Sequence, residues 1–181
     1  MRIIAGEFRH RMLKTLPGNN TRPTLDKVKE AVFSSLGTYF QDDAMLDLFS
    51  GSGAIGLEAK SRGFNHVYFN DNSKEAVKII KENIASLKAQ QCYVSQLSYQ
   101  DCLAQLAKKA LKFQLIYIDP PYHLKVVDEI LKLVDKYELL DQGGRVVVES
   151  LKEEEISSCA SIIKYKEANY GISKITYLKK E

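Results

Sequence analysis

The sequence predicts an α/β protein: a doubly wound, mostly parallel sheet with a C-terminal antiparallel hairpin and a small N-terminal β-hairpin extension. Three observations predict it. Short apolar strand patterns alternate with amphipathic helix patterns through most of the chain. Glycine, aspartate and proline gather where the strands should end. The last two strand patterns are separated only by a turn, Asn169-Tyr170-Gly171, too short for a helical crossover. The chain has 181 residues, enough for one domain with a full core. Residues 1–22 are expected to form a basic arm and residues 23–181 the core of that single domain.

Residues 1–16 read as two short strands, RIIA and RMLKTL, about a GEFRH turn. Pro23 and Thr24 are start signals for a helix whose apolar stripe is Leu25, Val28, Val32 and Leu36. AMLDLF is a strand, and AIGLEAKSR a helix that Gly63 stops. HVYFN is the next strand. Ser73 caps a helix with the stripe Ala76, Val77, Ile80, Ile84 and Leu87. YVSQLS is a strand before a helix at about 102–111. FQLIYI precedes a helix from about Leu124 to Lys136 that carries Val127, Ile130, Leu131 and Val134 on one side. RVVVES, SIIKYKEA and ISKITYL complete the strands.

Composition excludes several classes. No apolar run reaches membrane-span length, and the N-terminus meets Glu7, Arg9 and Arg11 where a signal peptide needs an apolar core. Cys92, Cys102 and Cys159 are scattered and odd in number, as expected of reduced cytosolic thiols; neither a disulfide framework nor a metal site is expected. Asn19-Asn20-Thr21 fits the glycosylation pattern but has no secretory context. Net charge is +3. Residues 1–22 carry Arg2, Arg9, Arg11, Lys14 and Arg22 against Glu7 alone, a local balance of +4 that leaves the remainder near −1. A basic arm on a near-neutral body suits a polyanionic partner, although a merely solubilising terminus gives the same charge.

In parallel α/β sheets ligands bind beyond the carboxyl ends of the strands. That places Asp47–Gly53, Asp71 and Asp119–Tyr122 along one rim. DLFSGSGAIG, at 47–56, has Gly51, Gly53 and Gly56 in GxGxxG spacing between a strand and a helix, with Asp71 twenty positions beyond Gly51. This is the context of a nucleotide fingerprint, in which Asp71 accepts hydrogen bonds from ribose hydroxyls. A dinucleotide is the first rival, because its pyrophosphate would sit on the helix N-terminus. Asp47, four residues before Gly51, would repel such an anion. It suits a ligand with an ammonium and a sulfonium, and S-adenosyl-L-methionine has both. Asp101 is placed to accept from an adenine amino group or to cap the following helix.

IYIDPPYH, at 116–123, delivers a carboxylate, a rigid proline pair and an aromatic ring to the same rim. The prolines fix two φ angles and donate nothing, so their carbonyls are free to accept. Two acceptors beside a flat ring suit a planar ring with an exocyclic amine. The lone pair of such an amine is delocalised. Hydrogen bonds to Asp119 and the Pro120 carbonyl favour a pyramidal nitrogen able to attack a methyl group directly. Tyr122 would stack on an unpaired base.

These residues resemble the amino-methylating Rossmann-like methyltransferases, which carry a DPPY-type loop after the fourth strand. RIIAGEFRHRMLKTLPGNNTRPTLDKVKEAVFSSL, DLFSGSGAIGLEAKSRG, YIDPPY and NYGISKITYL look more closely like the bacterial 16S ribosomal RNA guanine-N2 methyltransferases, over nearly the whole chain. The resemblance implies a cytoplasmic, monomeric enzyme that methylates the N2 amine of one guanine in 16S rRNA, within a partly or fully assembled small ribosomal subunit. It implies Asp119, Pro120, Pro121 and Tyr122 as the catalytic loop. It places Arg22, Thr24, Asp47, Phe49, Gly51, Gly53, Asp71 and Asp101 at cofactor positions. Two positions depart from the family pattern: Asp71 stands where glutamate is usual, and His10 replaces a frequent glycine in the first turn.

The resemblance gives the arm more weight, with Arg2, Arg9, Arg11 and Lys14 near the rim and holding RNA phosphates. Glu58 is expected to brace the glycine loop, Tyr117 to be core, His66 and His123 to be ordinary surface residues, and Asn83 to bond nearby backbone; Glu149 ends a strand at the rim. The alternatives are a DNA adenine-N6 or cytosine-N4 methyltransferase, which usually adds a target-recognition region. A protein-glutamine methyltransferase usually has Asn at the position of Asp119. A non-catalytic RNA-binding assembly factor and a nicotinamide dehydrogenase complete the set.

Overall fold

A computed structural model of the chain describes residues 1–17, 23–37, 40 and 43–181, with 23–25 described in their backbone only. Seven strands form one sheet in the order β3-β2-β1-β4-β5-β7-β6. The strands are β1 Ala44–Asp47, β2 His66–Asn70, β3 Cys92–Ser95, β4 Phe113–Ile118, β5 Leu140–Leu151, β6 Ile162–Tyr170 and β7 Ser173–Lys180. The first five pair in parallel. β7 runs antiparallel between β5 and β6, so the terminal hairpin contributes both antiparallel pairings. Among the described residues, α1 Pro23–Leu36 precedes the sheet, and four helices cross between strands: α2 Ala54–Ser61, α3 Lys74–Leu87, α4 Tyr99–Lys108 and α5 Val127–Lys136.

Strand alternation divides the core into two layers. On one face Met45, Val67, Phe69, Leu115, Tyr117, Val147 and Ile175 pack with Val28, Val32 and Phe33 of α1, Leu57 of α2 and Ile80 of α3. On the other, Leu46, Ile116, Ile118, Val146, Val148 and Leu178 meet Leu103 and Leu106 of α4 and Ile130, Leu131 and Val134 of α5. A one-residue slip of β4 would exchange Tyr117 for Ile118 and bury a phenol against α5.

Several boundaries differ from the sequence reading. α4 starts earlier because Ser98 caps it, its hydroxyl accepting from Asp101 N at 3.1 Å. Asp101 is therefore a first-turn residue and not the cap. α5 starts later, because Tyr122–Leu124 form a separate 3₁₀ turn and Lys125 reverses the chain at φ 47°. β5 begins five residues before Arg145, with the register against β4 shifting between Phe113 and Leu115. The N-terminal segment is not a regular hairpin. Arg2 and Met12 form one isolated antiparallel bridge. His10, at φ 69°, takes the left-handed conformation that explains the usual glycine there.

That segment is clamped to the core. Ile3, Phe8 and Leu13 are buried. Gly6, at φ 85°, crosses so close to α2 that a Cβ would lie 1.7 Å from the Ser61 carbonyl oxygen. Glu58 on α2 is fully buried and accepts from Ile4 N at 2.8 Å, Ala5 N at 3.1 Å and Arg62 Nε at 2.8 Å. Lys29 Nζ lies 3.4 Å from the same carboxylate. Glu58 thus braces the N-terminal segment, where the sequence suggested the glycine loop. A side chain at the middle of α2 lies a full turn away from that loop, facing the segment. Among the described residues no helix is long and apolar enough to cross a membrane.

Candidate active site

The strand order reverses between β1 and β4, and the glycine loop and the Asp-Pro-Pro-Tyr loop leave these two neighbouring strands. Leu48 N donates to the Tyr117 carbonyl at 3.1 Å, which keeps the two exits side by side. This is the crevice where open α/β sheets bind ligands.

The glycine loop is held from below by a network around Asn70, a buried residue that the sequence reading passed over. Its amide donates to the Leu48 carbonyl at 3.3 Å and the Leu97 carbonyl at 3.1 Å, and its side-chain oxygen accepts from Ser95 Oγ at 2.8 Å. One side chain therefore ties together the exits of β1, β2 and β3. An asparagine ending an otherwise apolar strand was its available signal. Asn83 fixes the loop from the side, donating to the Ser52 carbonyl at 2.9 Å and to the Lys14 carbonyl at 3.0 Å. It joins the basic segment to the glycine loop, as the expectation of a backbone bond anticipated.

Gly51 and Gly53 have φ of 54° and 80°, and a Cβ on Gly51 would meet nothing within 4 Å, so the loop presents bare backbone to the crevice. Gly56 serves packing: a Cβ there would lie 2.2 Å from Cε1 of Phe69. Gly56→Ala should therefore destabilise the fold by roughly 1–3 kcal/mol through overpacking. A lowered urea midpoint with an unchanged slope checks this.

Asp47 is 2% exposed, and one of its oxygens accepts from Gly56 N at 3.0 Å. Burial pushes its carboxyl up to about 7, the Gly56 N–H works against this, and the Asp71 charge adds to it. Asp71 spends one oxygen on Gly51 N and the other on Ser73 N, both at 2.9 Å. Each carboxylate oxygen keeps a second lone pair for a further donor. Asp101 is exposed and accepts from Ser98 Oγ at 2.8 Å. Phe49 is half-buried against Tyr99, their centroids 6.0 Å apart. Arg22 lies outside the described residues, as does the side chain of Thr24.

On the β4 side, Pro120 is buried, while Asp119 and Pro121 are exposed to the crevice. Desolvation in the crowded rim, then the charges of Glu149 and Asp47, hold the Asp119 carboxyl well above the usual carboxylate range. Its open surface lets water moderate the first of these causes. Glu149 is 7% exposed and also raised by burial. Tyr117 Oη donates to Glu149 Oε2 at 3.1 Å, so this core tyrosine has a polar partner. Tyr122 Oη lies 3.0 Å from Ser173 Oγ at the start of β7. Asp47 and Tyr117 are register partners, as are Tyr117 and Val147, so Asp47, Asp119 and Glu149 share the sheet face covered by α1, α2 and α3.

The arm's cations are spread out. Arg2 Nε is 3.7 Å from Asp26, Arg11 donates to the Ser86 carbonyl at 2.7 Å, and Lys14 meets Glu82 at 2.8 Å. Arg9 is exposed and has no such partner among the described residues. Lys14 reaches the glycine loop through Asn83, whereas Gly6 and its turn dock at the far end of α2. His123 is exposed, and His66 stacks on Tyr93 with the ring planes 16° apart.

A parallel five-stranded core, an antiparallel terminal hairpin and a glycine loop flanked by acidic strand exits define the Rossmann-like methyltransferase fold. The family described as conserved hypothetical protein 95 matches residues 1–179, and the chain belongs to it. It is 36% identical to YlbH of Bacillus subtilis, provisionally named an rRNA methyltransferase, with 99% of each chain covered. It is 33% identical to ribosomal RNA small subunit methyltransferase D of Haemophilus influenzae, covering 95% of this chain and 90% of that one. The solved structure of yhhF from Escherichia coli, provisionally named a methyltransferase, superimposes with a TM-score of 0.88 at 29% identity, covering 100% of this chain and 98% of that one.

Proposed function

We propose that this chain transfers a methyl group from S-adenosyl-L-methionine to the exocyclic N2 amine of a guanine in 16S ribosomal RNA, acting as a monomer on a partly or fully assembled small subunit. The reading takes the chain as one cytoplasmic catalytic domain with a basic arm. The observation that carries it is the pairing of two loops across the switch point. One exposes bare backbone and buried acid, and the other an acceptor pair and an aromatic ring.

The donor set fits the cofactor. Asp47 is a buried acid without a cationic partner among the described residues, and Asp119 and Glu149 stand close by. A pyrophosphate would meet three carboxyls there; an ammonium and a sulfonium relieve them. Asp47 would hold the methionine end, Asp71 the ribose, and Asp101 and Phe49 the adenine side; Arg22 and Thr24 would close the pocket. When bound, the cofactor supplies an electrophilic methyl group. Asp119 and the Pro120 carbonyl would accept hydrogen bonds from the guanine amine and turn its lone pair toward that methyl. As the carboxylate, Asp119 would accept the proton the nitrogen sheds, and its desolvation beside Glu149 and Asp47 makes it a stronger base than an ordinary carboxylate. Tyr122 would stack on the base, and Arg2, Arg9, Arg11 and Lys14 would hold phosphates without reading sequence.

The Asp47 shift has a pH consequence. Between about pH 4 and 7 the unfolded chain has lost this proton while the native chain keeps it, so the empty protein loses stability as pH rises, by on the order of 4 kcal/mol. A cationic cofactor favours the carboxylate. Its affinity should rise as pH increases through about 7 and then level off, with a proton released on binding. Calorimetry in two buffers of different ionisation heat checks both effects, and Asp47→Asn should flatten the profile. An affinity that falls with pH would contradict the assignment.

The substrate is tested by offering radiolabelled S-adenosyl-L-methionine with assembled small subunits lacking the mark, naked 16S RNA, or duplex DNA. Label in the subunits' RNA supports the reading. Label only in DNA or protein overturns it.

A further inference from the structure

We infer that Ser173 and Glu149 are positioning residues for the catalytic loop, holding the Tyr122 ring through a hydrogen-bonded chain anchored on Tyr117 in the core. The functional part of this inference rests on the methyl-transfer reading; the tether itself does not.

The chain crosses three strands. Tyr117 on β4 is 1% exposed and donates to Glu149 Oε2 on β5 at 3.1 Å. Glu149 also takes a hydrogen bond from the Ser173 side chain, at the first residue of β7. Ser173 Oγ is 3.0 Å from Tyr122 Oη. The sheet register makes this possible. Glu149 pairs with Ile175 and Leu151 with Ser173, so Glu149 and Ser173 are diagonal neighbours on one face. Tyr117 pairs with Val147, two residues before Glu149, and is the diagonal neighbour on the other side.

The chemistry gives the chain a direction. A carboxylate only accepts, and each hydroxyl owns one hydrogen. With Glu149 ionised, it takes the hydrogens of Tyr117 and Ser173, which leaves the Ser173 oxygen to accept from Tyr122. Hydrogen bonds arranged head to tail polarise one another.

The loop needs such a hold. Tyr122 is only half-buried, sits in a three-residue 3₁₀ turn and is followed by His123, Leu124 and Lys125, all exposed. Pro120 and Pro121 fix the backbone before the ring but not the ring itself. The Ser173 bond ties its hydroxyl to the start of β7 in the sheet. Both ends lie in segments that carry the family resemblance, YIDPPY and NYGISKITYL, and nothing in the sequence shows that they meet.

The test uses Ser173→Ala, Ser173→Thr and Tyr122→Phe in the full chain, with hydrogen exchange over residues 119–126 and single-turnover methyl transfer to small subunits. Ser173→Ala should speed exchange in that segment alone and slow transfer about 10-fold, with cofactor affinity unchanged. Thr, which keeps the hydroxyl, should restore both. Tyr122→Phe combined with Ser173→Ala should be no slower than either alone, because each breaks the same bond. Wild-type exchange in Ser173→Ala, or losses that add in the double variant, would overturn the inference. If the wild type transfers nothing to subunit RNA, the substrate reading falls and exchange alone decides the tether.

Discussion

Asp119→Ala should cut methyl transfer by about a thousandfold while leaving cofactor affinity within a few-fold of wild type. The residue directly follows the last position of β4 and is exposed. In the proposed reaction, losing it would remove the acceptor that orients the amine and takes its proton, and leave the Pro120 carbonyl alone. Nothing in the glycine loop changes: Asp47 keeps Gly56 N, and Asp71 keeps Gly51 N and Ser73 N. Stability should hold or rise, because the substitution thins a cluster in which Glu149 and Asp47 already push the Asp119 carboxyl upward. Asp119→Asn, which retains one acceptor but not the charge, should fall between. Calorimetry with S-adenosylhomocysteine and single-turnover transfer separate the two quantities. A well-folded variant that no longer binds would make Asp119 a cofactor residue.

Glu58→Ala should destabilise the fold by about 3–5 kcal/mol, a large part of the stability of a domain this size. Glu58 is fully buried with Arg62 Nε at 2.8 Å and Lys29 Nζ at 3.4 Å. Removing it strands two buried cations. Arg62 keeps the Phe33 ring 5.0 Å away, and Lys29 keeps the Arg2 carbonyl at 2.5 Å. Burial already lowers the Lys29 pKa against the pull of Glu58, so without that partner the lysine should drop further. The variant also leaves Ile4 N and Ala5 N unpaired. The basic segment should therefore loosen first, seen as fast exchange at these two amides and as trypsin cleavage at Arg9 and Arg11. Urea unfolding measures the total, and added salt should change it little because the pair is dry. A loss below about 1 kcal/mol would mean that the apolar contacts of Ile3, Phe8 and Leu13 hold the segment unaided.

These two residues show what the sequence disclosed and what it hid. The place of Asp119 at a strand exit was legible because its neighbours are chemically odd for a strand: two prolines and a tyrosine leave few bland readings. The alternation of strands and helices was legible for the same local reason, since apolar periods of two and of about 3.6 residues are written along the chain. Even the late antiparallel pair was, because Asn169-Tyr170-Gly171 leaves no room for a crossover. Glu58 was singled out but given the wrong client. Its helical position is visible in sequence, while the segment it faces lies more than fifty residues away. Ser173 and Asn70 were missed because single polar residues at strand ends look ordinary. Their importance comes from which exits meet at the rim, and that is a property of strand order. The early start of α4 was missed because Ser98, not Asp101, makes the cap, and either side chain has the chemistry to do so.

The central claim is that the rim presents an exocyclic amine to a methyl donor. The most direct test is the chemical position of the transferred methyl. RNA from methylated small subunits, digested to nucleosides and separated by chromatography with mass detection, should carry the label as N2-methylguanosine. Asp119→Ala should abolish that peak. A methyl group on a ring carbon or a ribose oxygen would contradict the account, since neither site offers the two hydrogens that Asp119 and the Pro120 carbonyl are placed to accept.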